Sequence, residues 1–309
     1  MDEKLNFVLI ENETAYEVSA SSDISGNVNI PALYKDKPVK RIAKDGFRGC
    51  KNITKIKIPD SVESIGEGAF RFCDFYKETD MGIFYADKWV IKAKTGDRPK
   101  IKENLIFRED TIGIADCSIR GSYACVTIPA SLKFIGKDVF YHYPKGNLND
   151  FEKITVEEGN AIYKADGNSL IRIYDKTLIF SIDGMIPDYI KKIGEAAFNL
   201  NIDIKSVIIP DGVTHIEDEA FKACRNLKKI TIPSSVSYIG KEAFFNCRSL
   251  SEITIPDTVK IIGKWAFYRT GEKYEIFNIY VKGFIEKPKG WDNDWNPDNQ
   301  PVHYNWQGK

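Results

Sequence analysis

The sequence predicts a mainly β protein built as a solenoid, a stack of similar coils of 23 residues each. Three observations support this prediction. An Ile-Pro pair recurs at a fixed step of 23 residues, starting at Ile209, Ile232 and Ile255. The segment Ile230-Thr231-Ile232 alternates apolar and polar residues, which is the pattern of a strand with one buried face. The apolar positions of the repeat do not follow the spacing of a helix.

The remaining residues of the unit suit the same coil. Pro233 ends the strand because proline has no N–H to donate to a neighbouring strand. Gly240 suits a backbone bend or a positive φ. Ala243 and Phe244 offer one small and one large side chain to the core. One unit buries too few apolar groups to fold alone, so units must stack on one another, with phenylalanine packed on phenylalanine.

The unit resembles the leucine-rich repeat of the BspA-like (Treponema-type) class. The residues of one copy that match this class are Leu227, Ile230, Ile232, Pro233, Val236, Ile239, Gly240, Ala243, Phe244 and Cys247. The resemblance implies a right-handed leucine-rich-repeat solenoid, with a parallel β-sheet on the concave face and short turns or 3-10 segments on the convex side. It also implies a non-catalytic binding module, since such repeats occur in bacterial and protozoal surface proteins that bind host matrix or other cells.

The repeat pattern predicts a single solenoid domain over residues 1–309. We expect an N-terminal cap over 1–30, formed by a hairpin that turns at Glu11-Asn12-Glu13. Solenoids need caps because a bare end exposes both the core and a strand edge. Repeats are expected over 31–283, with further copies at Pro31, Pro59, Pro129 and Pro187, a degenerate copy at Ile114 and Ile119, and hairpin-bearing insertions at about 74–108 and 141–186.

The C-terminal segment 284–309 is rich in aromatic and polar residues. It contains Trp291, Trp295, Tyr304 and Trp306. These side chains either fold back over the last coil as a cap or form a ligand patch. The need to cover an open sheet edge favours the cap.

Four of the six cysteines occupy one fixed place in the repeat. Cys50, Cys73, Cys224 and Cys247 each lie three residues after the repeat phenylalanine. This place predicts a small buried thiol, and the C-x₂-C spacing of a zinc site is absent. Cys117 and Cys125 would be the pair for a disulfide, if one exists, but we expect free thiols.

The composition limits the classes of function that the protein can have. Lys plus Arg equals Asp plus Glu at 44 each, which gives no electrostatic reason to expect binding to nucleic acid or to an anionic membrane. No apolar run approaches the length that spans a bilayer. The N-terminal apolar run 7–10 is too short for a signal peptide. The family resemblance implies an extracellular or cell-surface location, whereas the missing signal peptide favours the alternative, a cytoplasmic scaffold or structural protein.

We expect no enzyme activity, no cofactor and no metal site. His142, His215 and His303 share no catalytic or metal-binding motif, and Asp292, Asp294 and Asp298 lack the Gly and Glu of a calcium loop. Recognition is therefore expected at variable positions of the strands, in the inserted hairpins or in the tail. The candidate binding surface consists of Lys55, Lys57, Lys153, Lys229, Glu252, Tyr280, Trp291 and Trp295. We expect a monomer that binds a protein or a glycan.

Overall fold

The computed structural model describes residues 4–74, 81–95, 103–121, 123–140, 152–271 and 276–308, which contain strands and turns but no helix. They fall into two compact units. The first is residues 1–141 with 145–150 and 157–160, and the second is residues 161–309 with 142–144 and 151–156. The expected single domain over 1–309 stays a prediction. His142 and the parts of the two insertions at 75–80, 96–102 and 141–151 lie outside the described residues.

Fourteen of the strands formed by the described residues belong to the first unit. They are β1 (Leu5–Ile10), β2 (Ala15–Ala20), β3 (Ser25–Asn29), β4 (Leu33–Tyr34), β5 (Lys37–Ile42), β6 (Asn52–Lys57), β7 (Ser64–Ile65), β8 (Gly82–Ala86), β9 (Trp89–Lys94), β10 (Glu103–Ile106), β11 (Gly113–Ile114), β12 (Ile119–Arg120), β13 (Tyr123–Ile128) and β14 (Phe134–Ile135).

In the part of the second unit that the structure describes there are thirteen strands. They are β15 (Lys153–Val156), β16 (Tyr163–Asp166), β17 (Ser169–Arg172), β18 (Thr177–Ser181), β19 (Lys192–Ile193), β20 (Ser206–Ile208), β21 (His215–Ile216), β22 (Lys229–Thr231), β23 (Tyr238–Ile239), β24 (Glu252–Ile255), β25 (Ile261–Ile262), β26 (Asn278–Val281) and β27 (Val302–His303).

A regular coil contributes one strand to each of two parallel sheets. The strand before the Ile-Pro pair joins the first sheet, which consists of two hydrogen-bonded segments in this unit. In one segment β20 pairs with β22, and in the other β24, β26 and β27 pair in that order. A turn follows, closed by a hydrogen bond from the Val236 N–H to the Pro233 carbonyl. The two-residue strands β19, β21, β23 and β25 then form the second sheet. The predicted solenoid is confirmed, and this second sheet stands where turns or 3-10 segments were expected.

Stacked phenylalanine rings form the centre of the second unit. Phe198, Phe221, Phe244 and Phe267 are fully buried. Successive ring centroids are 4.8, 5.4 and 5.4 Å apart, with interplanar angles of 7° or less. The first unit repeats the arrangement with Phe47 and Phe70, at 5.5 Å. The backbone follows the same stack, because alternate N–H groups, such as that of Phe244, donate to a carbonyl of the next coil.

The cysteine position of the repeat holds a hydrogen-bond donor. The Cys247 thiol donates to the Phe221 carbonyl at 3.0 Å, and the Cys73 thiol donates to the Phe47 carbonyl at 2.9 Å. Thr270 occupies the equivalent place, and its hydroxyl donates to the Phe244 carbonyl at 2.8 Å. The thiols are free. Burial raises the pKa of Cys73 to about 12, so this thiol stays protonated and able to donate at neutral pH.

Replacing Cys247 by alanine is expected to lower the free energy of unfolding by about 1 kcal/mol, because the Phe221 carbonyl loses its side-chain donor but keeps the hydrogen bond from the Cys224 N–H. Cys247→Thr should retain most of the stability, since the threonine hydroxyl can make the bond that Thr270 makes in the next coil. Chemical denaturation of both variants checks this. If both variants lose the same free energy of unfolding, the hydrogen-bond donor at this position does not contribute to stability.

Gly240 is required for close packing of neighbouring coils. The expectation of a positive φ at this residue is wrong. A Cβ atom there would lie 2.4 Å from the backbone nitrogen of Asp218 in the preceding coil, a distance that side chains do not tolerate. The left-handed residues of the same coil are Glu242 and Asn246, with φ of 55° and 61°. This conformation turns alternate N–H groups, including those of both residues, toward carbonyls of the following coil.

The predicted caps and hairpins are present within the described residues. β1 and β2 form the N-terminal hairpin, turning at Glu11-Asn12-Glu13 with three positive φ angles, and β2 continues into a parallel pair with β5. In the first insertion β8 and β9 form an antiparallel pair. In the second, β16, β17 and β18 form a three-stranded antiparallel meander that leads into β19.

The tail forms one more coil of the solenoid. Trp291 bridges Ile262 in the second sheet, where β25 would otherwise be an open edge. The Phe267 N–H donates to the Trp295 carbonyl, as Phe244 does to Ala266 one coil earlier. β27 then pairs in parallel with β26 in the first sheet. The cap alternative is therefore correct for Trp291 and Trp295, and the tail closes both sheets.

Candidate binding surface

The outward face of the first sheet in the second unit collects the variable residues of successive coils. In β22, Ile230 is buried while Lys229 and Thr231 are exposed. β20 has the same pattern, with Ile208 76 % exposed. Side chains alternate between the two faces of a strand, so the two neighbours of the buried central residue, Val207 in β20 and Ile230 in β22, point outward. The face is thus built from positions that the repeat leaves free to vary.

The register of the strands aligns these residues in two rows. One row contains polar and charged residues, with Ser206 beside Lys229 and Glu252 beside Asn278. The other row is less polar, with Ile208 beside Thr231, and with Thr254, Tyr280 and His303 side by side. Since both charge signs occur, shape and apolar contact contribute more to this face than net charge does.

Three rings form an aromatic cluster at the end of the second row: Tyr280, His303 and Trp306. The ring centroid of Tyr280 lies 4.9 Å from that of His303 and 4.4 Å from that of Trp306. His303 is exposed, and the other two rings are half-buried. The Nε2 atom of His303 is 2.8 Å from Oδ1 of Asn278, which fixes the imidazole against the sheet.

The aromatic cluster has the properties of a recognition site. Tyr and Trp side chains supply large contact areas with little conformational entropy to lose, and they are enriched among residues that dominate binding energy. Trp306 is held in place by its backbone, whose N–H donates to the Val281 carbonyl at 2.9 Å. The amides of Asn305 and Gln307 lie beside it and bond to each other at 2.9 Å. Stacked rings together with nearby amides combine apolar contact with hydrogen-bonding groups, which suits a sugar or an apolar side chain flanked by polar groups.

The lysines of the predicted surface are exposed but belong to different strands. Lys55 and Lys57 project from β6 in the first unit, beside Asn27 and Asn29 of β3. Lys153 is exposed on β15 in the second unit, and Lys229 is exposed on β22 of the same unit. Glu252 is exposed on β24. Within each unit these residues have the outward orientation that the alternation of the strands predicts.

Trp291 and Trp295 do not belong to a binding surface, and their inclusion in it is wrong. Their side chains are only 2 % and 5 % exposed. The indole N–H of Trp291 donates to the Val259 carbonyl at 3.1 Å. The ring of Trp295 meets that of Phe267 edge to face at 5.7 Å. Both side chains extend the hydrophobic core into the tail because they occupy places that isoleucine, alanine and phenylalanine hold in regular coils.

The acidic residues of the tail make hydrogen bonds and an ion pair that hold the last coil in place. Asp298 accepts a hydrogen bond from the Arg269 N–H, and Asp294 lies 3.4 Å from the Lys264 ammonium. Asp292 accepts from the Asp294 N–H at 2.8 Å. Among the described residues, no three or more His, Cys, Asp and Glu side chains are arranged to hold a metal ion. The part of the chain that the structure describes also has no helix long and apolar enough to cross a membrane.

His303 and Trp306 are the residues that sequence reasoning missed. From the sequence, no role is expected for His303, and Trp306 is offered as a binding residue only within the ligand-patch alternative for the tail. A usable signal was present, since His303 follows Tyr280 by the repeat length of 23 residues. That step places Val302 in register with the buried Ile279 and His303 in register with the outward Tyr280.

Stacked coils with two parallel sheets and a phenylalanine core define a β-solenoid repeat protein with an outward sheet face. The family described as BspA type leucine rich repeat region matches residues 24–83 and 174–283 in six copies. Since these segments make up more than half of the chain, the protein belongs to this family.

Several solved structures resemble the chain. The pneumococcal vaccine antigen PcpA is 16% identical, with 98% of this chain and 97% of that chain covered and a TM-score of 0.47. A leucine rich cell surface protein from Faecalibacterium prausnitzii is 18% identical, with 92% and 95% covered and a TM-score of 0.40. A leucine-rich repeat protein from Bacteroides ovatus is 20% identical, with 91% and 70% covered and a TM-score of 0.33. The search of curated proteins finds no significant match.

Proposed function

We propose that this protein is a non-catalytic binding module that presents the outward face of the first sheet to a protein or glycan partner. We further propose that it acts at the cell surface or outside the cell, in adhesion to host or matrix molecules. Membership of the BspA type repeat family supports this direction. The observation on which the proposal rests is the aromatic cluster of Tyr280, His303 and Trp306, set at the end of two rows of outward residues.

The rigidity of the stack supports binding through this face. Tyr280 and His303 lie on paired strands, and Trp306 is tied to Val281 by a backbone hydrogen bond. Side chains that are fixed before a partner arrives lose little entropy on binding, so several modest contacts add up to a useful affinity. Thr231 and Ile208 occupy the equivalent outward places on the paired strands β22 and β20, which offer a partner further contacts within the second unit.

Candidate reactive side chains have structural roles instead, which supports a non-catalytic function. Cys224 donates to the Phe198 carbonyl at 3.0 Å, and burial raises its pKa well above the usual range. His215 lies in the second sheet, where its Nδ1 atom is 2.8 Å from the Thr214 hydroxyl. Neither group lies in the aromatic cluster, so the proposed surface offers contact and hydrogen bonding.

A screen against immobilised matrix proteins and a glycan array is expected to retain at least one ligand class. Tyr280→Ala should then weaken binding to that ligand by about 2 kcal/mol, roughly thirtyfold, as for a central aromatic anchor. Surface plasmon resonance with the retained ligand measures the change. The unfolding midpoint of the variant should stay close to that of the parent, because Tyr280 is only half-buried.

Tyr174→Ala is the matched control. Tyr174 is 73 % exposed and lies in the turn between β17 and β18, where it contacts the Arg172 guanidinium at 5.1 Å. Its loss should leave the affinity unchanged. Equal affinities for the parent and Tyr280→Ala would contradict the proposed face. Charge reversal of Lys55, Lys57, Lys153 and Lys229 together tests the lysines, and binding that survives it would remove them from the surface.

A further inference from the structure

The N-terminal hairpin leaves a long strand edge open in the first unit. β1 lies at one end of its sheet, which has the order β1-β2-β5-β4. β2 pairs with one side of β1, and no other strand of the described residues pairs with it. The hairpin covers the core at this end of the unit, and its outer strand becomes the edge of the sheet.

The register of the hairpin shows which polar groups line this edge. The Ser21 N–H donates to the Lys4 carbonyl at 2.9 Å, so these two residues form a hydrogen-bonded pair of the antiparallel ladder. Hydrogen-bonded pairs alternate along such a ladder. The β1 residues that bond to β2 are therefore Asn6, Val8 and Ile10. Those whose N–H and carbonyl groups point toward the open edge are Leu5, Phe7 and Leu9.

This edge lacks the features that usually prevent strand edges from pairing. Proteins protect exposed edges with charged residues, prolines, bulges or very short strands. β1 consists of six residues, LNFVLI, without charge, proline or glycine, and its register with β2 is unbroken. By contrast, β4 at the other end of the same sheet has two residues and is followed by Lys35 and Asp36. The edge of β1 is therefore suited to accept another strand.

The side chains of β1 hold this edge in place before a partner arrives. Phe7 packs against the core, where its ring stacks on that of Tyr34 with the centroids 4.0 Å apart. The ring of Tyr16 meets Phe7 edge to face at 6.3 Å. Val8, on the opposite face of the strand, is 59 % exposed. Since the edge is already ordered, a strand that adds to it causes little further loss of entropy in this protein.

We propose that β1 pairs with β1 of a second copy of this chain, antiparallel about a two-fold axis at Phe7. In this register the two Phe7 residues face each other, and Leu5 of each copy faces Leu9 of the other. The outward N–H and carbonyl groups of all three residues are then bonded, whereas a shift by two residues pairs only two of the three. Because each copy has one such strand, association stops at a dimer. This proposal is independent of the sheet-face function and replaces the expectation of a monomer.

The charges that flank β1 suit the antiparallel arrangement. Lys4 precedes the strand, and the turn Glu11-Asn12-Glu13 follows it. Antiparallel pairing places Lys4 of each copy beside the acidic turn of the other. Lys4 also pairs with Asp23 at 3.0 Å, and Glu11 pairs with Lys40 at 3.3 Å, with all four side chains partly exposed. The flanking charges therefore favour the orientation of the strands more than they add to the affinity.

Sedimentation velocity of the whole chain, over a concentration series from micromolar to millimolar, tests the dimer. The parent should change from monomer to dimer within this range. A dimer that forms only at such concentrations is expected because pairing of one strand covers less than the about 800 Å² per partner of a stable interface.

Two double variants test the register, since it places Asn6 of each copy directly opposite Val8 of the other. Asn6→Lys with Val8→Lys puts like charges opposite each other at two places and should weaken the dimer about tenfold. Asn6→Lys with Val8→Glu is the matched control, because it puts opposite charges at the same places and should retain an affinity close to that of the parent. Both residues are exposed, so both variants are expected to fold, which circular dichroism checks.

Amide hydrogen exchange below and above the dimerisation range gives a readout at single residues. The amides of Leu5, Phe7 and Leu9 should gain protection in the dimer, whereas those of Asn6 and Val8 bond to β2 in both states and should change little. A parent that stays monomeric up to millimolar concentration, or equal dissociation constants for the two double variants, would overturn the proposal.

Discussion

Replacing Phe244 by alanine should lower the free energy of unfolding by about 3–5 kcal/mol. Its ring is fully buried and lies between the rings of Phe221 and Phe267, each with its centroid 5.4 Å away. Truncation removes the contacts on both sides and leaves a cavity in the middle of the stack. Neighbouring rings cannot close the gap, since their coils are held in register by backbone hydrogen bonds such as Phe221 to Ala243.

Phe245→Ala provides the comparison within the same coil. Phe245 is half-buried and meets Tyr268 edge to face at 5.5 Å. Its truncation should cost clearly less than that of Phe244, because part of its surface already contacts solvent. Denaturant unfolding followed by circular dichroism measures both variants. Equal losses, or a nearly neutral Phe244→Ala, would mean that the phenylalanine stack does not hold the coils together.

Trp291→Ala is expected to produce a loss of similar size, about 3–5 kcal/mol. The side chain packs against Trp295 and Phe284, with ring centroids 4.8 and 6.0 Å away. Its indole N–H also supplies a partner for the Val259 carbonyl. The substitution therefore removes core volume, leaves a carbonyl without its indole donor and loosens the coil that covers the edge of β25. Unfolding monitored by circular dichroism measures the loss.

Trp306→Ala is the control that distinguishes a tail tryptophan of the core from one of the surface. Trp306 is half-buried, and the hydrogen bond that holds it comes from its backbone and survives the substitution. This variant should keep most of the stability. If Trp306→Ala lowers the free energy of unfolding more than Trp291→Ala does, the role of the tail as a capping coil is contradicted.

The sequence was sufficient to predict the solenoid and most of its core. A step of 23 residues, together with alternating apolar residues, identifies Ile230, Ile239 and Phe244 as inward-facing without any structural information. The three side chains are buried. The cysteine position was also identified correctly as a structural one. Such features are predictable because every coil must present the same side chains to the next coil.

The sequence does not predict the backbone conformation in the same detail. Strands of two residues such as β23 are too short for any alternation to show, so the second sheet was not expected. Left-handed conformations occur at Glu242 and Asn246, where no glycine marks them. Gly240 suggested a positive φ, but it is required because the preceding coil comes too close for a Cβ atom.

The candidate site was only partly predictable. The outward residues Lys229, Glu252 and Tyr280 follow from strand alternation alone. The pairing of His303 with Tyr280 follows from their separation of 23 residues, but the position of Trp306 does not, because no repeat residue precedes it at that step.

Hydroxyl-radical footprinting of the chain, free and bound to the ligand that the screen retains, tests the proposed face most directly. Binding through the first sheet should protect Tyr280, His303 and Trp306 from oxidation. Tyr174 and Met185 are 73 % and 72 % exposed, lie outside the face, and should be oxidised equally in both states. Protection of Tyr174 or Met185 with no change at Tyr280, His303 and Trp306 would contradict the account.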